Sequence, residues 1–189
     1  MAHALLEAFP ANYVHDGSKI GNDFIRDATK YRITRSVNYA VPHIKQHREI
    51  RWLEVIRDDT VFNFYAFHFP NGDKEQRRVM AEYFVSTFGH HRDPSIAAGD
   101  TNNVSDYDGS VRRILAEAGW ADSRSQANNL TNAKVNEYVD HTPERSGAWL
   151  TDVFTRNGAV VESVELVPIP RKILNHHALK AYITIGDQQ

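Results

Sequence analysis

Asp100 and Asn102 stand two residues apart in Gly99-Asp100-Thr101-Asn102, directly after the apolar run Ser95–Ala98. Other chemistry-bearing residues fall at the ends of similar runs. Glu7 follows Ala4-Leu5-Leu6, and His68 closes an aromatic stretch before Phe69-Pro70. Asp152 interrupts the apolar segment Trp149–Phe154, and Asn175-His176 precede the last alternating run. Strand ends and the loops beyond them are where rigid scaffolds present reacting groups. Hydrolysis of a phosphate ester calls for a hard cation, a base for the attacking water, and donors for the charge developing on the phosphoryl oxygens. Glu7 and Asp100 are the ligand type that Mg²⁺ prefers. His68 and His176 can act as acid, base or charge clamp. A buried carboxylate wants a partner, and Asp152 suits the orientation of His176. Asn102 adds an amide dipole without adding negative charge. Each residue also has a plain structural reading. Gly, Asp and Asn favour turns, His68 suits a core edge, and Glu7 suits solvent. The chemistry is carried by their joint order.

The elements that must position these groups can be read from periodicity. Residues 48–56 and 61–69 are aromatic and β-branched runs separated by Asp58-Asp59-Thr60, a hairpin pattern. A helix follows, capped by Asn71 or Asp73, with Val79, Met80, Tyr83, Phe84 and Phe88 at helical spacing and Gly89 at its end. Ser95–Ala98 is a short buried strand. A second helix, capped by Asp108, carries Val111, Ile114, Leu115 and Ala118 on one face and ends at Gly119. The last third returns to strands at Trp149–Thr155, Val160–Val167 and Leu179–Ile185. His43 and His47 have one-turn spacing, but Pro42 precedes them and the segment reads as a loop rather than a zinc-binding helix. His90-His91 after Gly89 reads as a solvated pair complementing a helix C-terminus. Strands with helices between them predict an α/β or α+β sandwich.

With 189 residues, the chain suits one domain spanning 1–189. It has no cysteine, which excludes disulfides and thiolate catalysis, and no apolar run long enough for a membrane-spanning helix. No signal-peptide pattern is visible, so the expected location is the cytoplasm. The net charge of -2 demands no nucleic-acid partner. Arg26, Lys30, Arg32 and Arg35 could still assemble a basic face for one.

The order of the pieces resembles the endonuclease/exonuclease/phosphatase superfamily. Its motifs are a Gln-Glu strand end, a strand ending in His-x-Pro or Thr-His-Leu, Gly-Asp-x-Asn, a strand carrying Ile-Asp, and Ser-Asp-His near the C-terminus. The counterparts here are Leu6-Glu7, Phe67-His68-Phe69-Pro70, Gly99-Asp100-Thr101-Asn102, Thr151-Asp152 and Asn175-His176. The resemblance implies a two-sheet β-sandwich flanked by helices, in four layers α/β/β/α. It also implies a metal-dependent phosphoesterase using Mg²⁺ or Mn²⁺, with a phosphodiester in nucleic acid such as DNA as the expected substrate. By the same resemblance Glu7, Asp100 and Asn175 hold the metal. Asp100 positions or deprotonates water, Asn102 holds the phosphate, His68 donates to it, and Asp152 orients His176.

Two departures accompany the resemblance. The family's first strand and helix have no counterpart before Glu7, so the domain reads as N-terminally shortened. An oligomer or partner chain would then cover the open sheet edge. The usual Ser-Asp-His reads Leu174-Asn175-His176, and a second register places His176 and His177 in its last two positions. A neutral Asn holds a cation less tightly than Asp. The alternative function is therefore a weakened or inactive relative that binds a phosphorylated ligand or a protein. The loops Asn103–Asp108 and Asp122–Asn136 are expected to select the substrate.

Overall fold

The computed structural model describes residues 12–16, 24–102, 110–123, 129–131, 151–167 and 178–186. Its strands are β1 (Tyr13–Asp16), β2 (Phe24–Asp27), β3 (Arg32–Ala40), β4 (Glu49–Arg57), β5 (Thr60–His68), β6 (Ser95–Asp100), β7 (Ala121–Asp122), β8 (Asn129–Thr131), β9 (Thr151–Arg156), β10 (Ala159–Val167) and β11 (Ala178–Ile185). Two helices are described, α1 (Lys74–Phe88) and α2 (Ser110–Glu117).

Six strands form a mixed sheet in the order β3-β4-β5-β6-β9-β7. A second sheet runs β11-β10-β8, and β1 pairs with β2. The hairpin β4–β5 turns on Asp58 and Asp59, both at positive φ (48° and 64°), as a two-residue turn matched to strand twist requires. From β5 the chain crosses through α1 to β6, which lies parallel to β5, whereas β9 returns antiparallel to β6. Asp73 caps α1 by accepting from the Gln76 backbone N–H at 3.1 Å.

The sheet is apolar on both faces, as a central layer must be. On one face Trp52, Tyr65, Phe67 and Phe154 meet Met80, Phe84 and Phe88 of α1 and Val111 and Leu115 of α2. On the other, Leu53, Val55, Phe62, Ile96 and Val153 meet Ala159, Val161 and Val164 of β10. Helix layer, main sheet and second sheet are thus stacked in that order. Among the described residues the helices flank one side, and Val160 and Tyr182 of the second sheet are exposed.

Two features depart from the sequence expectations. β3 is a strand absent from those expectations: Arg35 interrupts the alternation of Ile33, Val37 and Tyr39, and a bulge between Ile33 and Arg35 shifts its register. It is an edge strand, where a charged residue such as Arg35 discourages further pairing. His91 is not a solvated cap. Its ring lies 4.9 Å from that of Trp52, and its Nδ1 is 2.6 Å from the Tyr65 hydroxyl. His43 and His47 do lie in a loop, with His43 at a φ of 63°.

Candidate active site

Asp100 and His68 are brought together by strand pairing. β5 and β6 run parallel, and the last residue of each faces the other across the ladder. Nε2 of His68 lies 3.6 Å from Oδ2 of Asp100, with the His68 side chain 51% exposed and that of Asp100 20%. A carboxylate and an imidazole are therefore adjacent and open to solvent at one end of the main sheet.

Each residue of Gly99-Asp100-Thr101-Asn102 has a distinct physical task. A Cβ on Gly99 would lie 1.9 Å from the Phe67 carbonyl oxygen, so only glycine allows β6 to approach β5 this closely. Oδ1 of Asp100 accepts from the Asn102 backbone N–H at 2.7 Å, an Asx turn that places Asn102 at a φ of 49°. The Asn102 side chain is buried, and its Nδ2 donates to the Phe69 carbonyl at 2.8 Å. The Phe69 N–H donates to the Asp100 carbonyl, also at 2.8 Å. Both backbone groups of Phe69 are thereby clamped to the Gly-Asp-x-Asn turn, which fixes the strand end that carries His68.

Asp152 sits one strand over, opposite Gly99 on the antiparallel ladder. Alternation puts it on the helix face with Phe154, and its side chain is wholly withdrawn from solvent. Oδ2 accepts from the Thr101 hydroxyl at 2.8 Å. Arg112 of α2 donates Nη2 to Oδ1 at 2.9 Å and to Oδ2 at 3.2 Å. The Nε of the same guanidinium is 3.3 Å from Asp122 Oδ2. Sequence reasoning misses both Thr101, in the variable position of its motif, and Arg112. The signal available is Asp152 itself, because a carboxylate inside an apolar strand requires a counter-charge on a neighbouring element.

Of the sequence-predicted site residues, the structure joins Asp100 and Asn102 in one hydrogen-bonded turn and sets His68 beside Asp100 at 3.6 Å. Thr101 links that turn to Asp152. Glu7, Asn175 and His176 lie outside the described residues, as do residues 103–108 and most of the Asp122–Asn136 tract. Among the described residues no three His, Asp or Glu side chains converge as a metal cluster. The oxygen donors at the turn, the Asp100 carboxylate above all, have the hard character that Mg²⁺ accepts.

The four basic residues that could assemble a face lie away from this end of the sheet. Arg32 pairs with Ile56 toward the opposite end of β4, and Lys30 lies 3.8 Å from Asp27. Arg26 donates to the Tyr31 carbonyl, and the Arg35 guanidinium covers Trp52. A cavity of about 700 Å³ also lies away from the turn, between the two sheets. Its lining runs along β5 from Thr60, eight residues and roughly 26 Å from His68, to Phe64, four residues and roughly 13 Å from it.

No protein-family model and no curated protein sequence matches the chain. Solved structures do match. A mannosyl-6-phosphatase of Bacteroides thetaiotaomicron VPI-5482 superposes with a TM-score of 0.76 at 15% identity, over 96% of this chain and 80% of that one. The endonuclease/exonuclease/phosphatase from Bacteroides vulgatus gives 0.78 at 17% identity, over 93% and 77%. TDP2 of D. rerio, complexed with single strand DNA product, gives 0.77 at 15%, over 96% and 81%. The chain has the endonuclease/exonuclease/phosphatase fold. Within this fold the Gly-Asp-x-Asn turn falls at the end of a central strand, where its neighbours on both sides can contribute to one site.

Proposed function

We propose that the chain hydrolyses phosphate esters with the help of a divalent cation, and that its substrate is a phosphodiester in nucleic acid. The observation that carries the reading is the pairing of an exposed His68 with a half-buried Asp100, 3.6 Å apart, beside a turn whose backbone is fixed by Asn102. Asp100 accepts the proton of the attacking water, and its geometry is held by the Asx turn. His68 donates to a phosphoryl oxygen. Asn102 holds the turn and His68's strand end in register. Asp152 supplies a buried negative charge behind the turn. Asp100, with Glu7 and Asn175 in the roles their motifs suggest, would hold Mg²⁺. That ion would polarise the phosphoryl oxygen and stabilise the leaving group. The DNA product named with the D. rerio neighbour supports nucleic acid over other esters, while the sugar-phosphatase neighbour makes a phosphomonoester the control substrate.

The test is hydrolysis of plasmid DNA, bis-p-nitrophenyl phosphate and mannose 6-phosphate with Mg²⁺, with EDTA, and with Asp100→Ala. Turnover of the two diesters is expected, abolished by EDTA. Asp100→Ala should lower kcat by about 10³-fold, the scale of removing a group that acts on the transition state. Its folding stability should fall only by the loss of one hydrogen bond, about 1 kcal/mol. Equal rates for Asp100→Ala and the parent chain would overturn the proposal. Preference for mannose 6-phosphate would overturn the nucleic-acid part alone.

A further inference from the structure

Arg112 reaches from α2 to a carboxylate that has no solvent exposure, and it does so with one nitrogen shared between both oxygens. A buried ion pair is costly to desolvate and is weak evidence for stability, since apolar residues of the same volume often serve as well. The pair here also occupies a particular place. Asp152 faces Gly99 across the β6–β9 ladder, and its Oδ2 accepts from the hydroxyl of Thr101, the residue between Asp100 and Asn102. Any movement of the Asp152 carboxylate is therefore passed directly to the turn that presents Asp100. Asp122 on β7, 3.3 Å from the Arg112 Nε, adds a second negative charge beside the guanidinium.

We infer that Arg112 is a positioning residue for the reaction, acting through Asp152. It fixes that carboxylate in one rotamer and in its charged form, and so sets both the geometry of the Thr101 link and the field behind Asp100. The inference rests on the phosphoesterase reading above.

The experiment compares Arg112→Gln, Arg112→Lys, Asp152→Asn and the double variant Arg112→Gln/Asp152→Asn in the full chain. It measures the pH profile of kcat and KM for bis-p-nitrophenyl phosphate with Mg²⁺, and checks folding by circular dichroism. Arg112→Gln should lower kcat about 10-fold or more while KM changes less than about twofold, because the lost interaction acts on the transition state. Its acid limb should move to higher pH, since a buried carboxylate without its counter-charge favours the protonated form. Arg112→Lys keeps the charge and should restore the position of the limb, with part of the rate. In the Asp152→Asn background, Arg112→Gln should add less than about twofold, as expected when one residue acts only through the other. If Arg112→Gln does not fold, the profile of Arg112→Lys against the parent decides: a limb at the parent position is expected, and a displaced limb overturns the inference. A folded Arg112→Gln with the parent's kcat and profile also overturns it, as do fully additive losses in the double variant, and both leave the phosphoesterase reading intact. A parent chain with no turnover on any ester overturns that reading, and the role of Arg112 falls with it.

Discussion

The two faces of the main sheet are built differently, and the candidate site uses both. The helix face is a lattice of rings. Tyr65 meets Phe84 at 5.4 Å and Trp120 at 5.8 Å, both edge-on, and Phe67 stands edge-on to Phe69 at 5.0 Å. All five are buried. The second-sheet face is mostly aliphatic, with Phe62, Phe64 and Ile96 bordering the open cavity between the sheets. The buried charge of the site, Asp152, belongs to the dense face, whereas His68 continues the alternation of Phe62 and Phe64 on the looser one. A site needs fixed groups and reachable groups at once. The difference between the faces shows how one sheet supplies both. The open space lies on the looser face and reaches along β5 to Phe64 and along β6 to Ile96, four residues short of His68 and of Asp100.

Truncating one ring on each face is the strongest test of this contrast. Phe84→Ala removes a ring 1% exposed that touches Tyr65, Phe67, Phe88 and Trp120. It should cost about 4 kcal/mol in urea unfolding, within the range for large buried aromatics. Phe62→Ala, beside existing empty space, should cost about 2 kcal/mol, because fewer contacts are lost and part of the void is already present. Equal costs for the two would remove the distinction between the faces.

The dense face is also the legible one. Helical spacing of Met80, Phe84 and Phe88 and of Val111 and Leu115, and the aromatic run of β5, mark α1, α2 and the hairpin from local pattern alone. The turn Gly99-Asp100-Thr101-Asn102 is legible for the same reason, as Asp100 accepts from the Asn102 N–H within the motif, although the Thr101 and Asn102 side chains find their partners far along the chain. What local pattern does not carry is non-local pairing. β3 hides its strand character behind Arg35 and a bulge. Arg112 meets Asp152 across 40 residues, and Thr101 meets it across 51. His91 reads as solvated from its neighbours in the chain because its real partners, Trp52 and Tyr65, come from strands far earlier.

Gly99→Ala probes the seam between the faces. The added methyl would lie 1.9 Å from the Phe67 carbonyl oxygen and 2.9 Å from its carbon, both backbone atoms that no rotamer can move. β6 must then draw away from β5 just before Asp100. A loss of about 2–3 kcal/mol in unfolding free energy is expected, the scale of imposed backbone strain. Activity should fall further than Phe84→Ala lowers it when both are assayed well below their unfolding midpoints. A chain that keeps full stability and rate would show that the strand ends tolerate separation, and that their close approach does not define the site.

The smallest effect concerns the dense face alone. His91 packs on Trp52 and shares a hydrogen bond with the Tyr65 hydroxyl. Its pKa is held below the ordinary histidine value, first by burial and then by the neighbouring His90, with Arg35 acting in the same direction and Asp93 and Glu54 opposing. The folded chain therefore binds this proton less readily than the unfolded chain. The His91 contribution is complete above the ordinary histidine pKa of about 6.5, and it is lost as pH falls below that value toward the depressed one. The urea midpoint of the parent chain should accordingly drop between neutral and mildly acidic pH. His91→Phe keeps a ring against Trp52 but cannot take a proton, so its midpoint should fall less over the same interval. At neutral pH the order should reverse, because the buried Tyr65 hydroxyl loses its 2.6 Å partner His91 and keeps its hydrogen bond to Ser95. Parallel midpoints for the two chains across that interval would mean that the imidazole is as easily charged in the folded state as outside it. The helix face would then be less tightly closed at its His91 edge than its rings suggest.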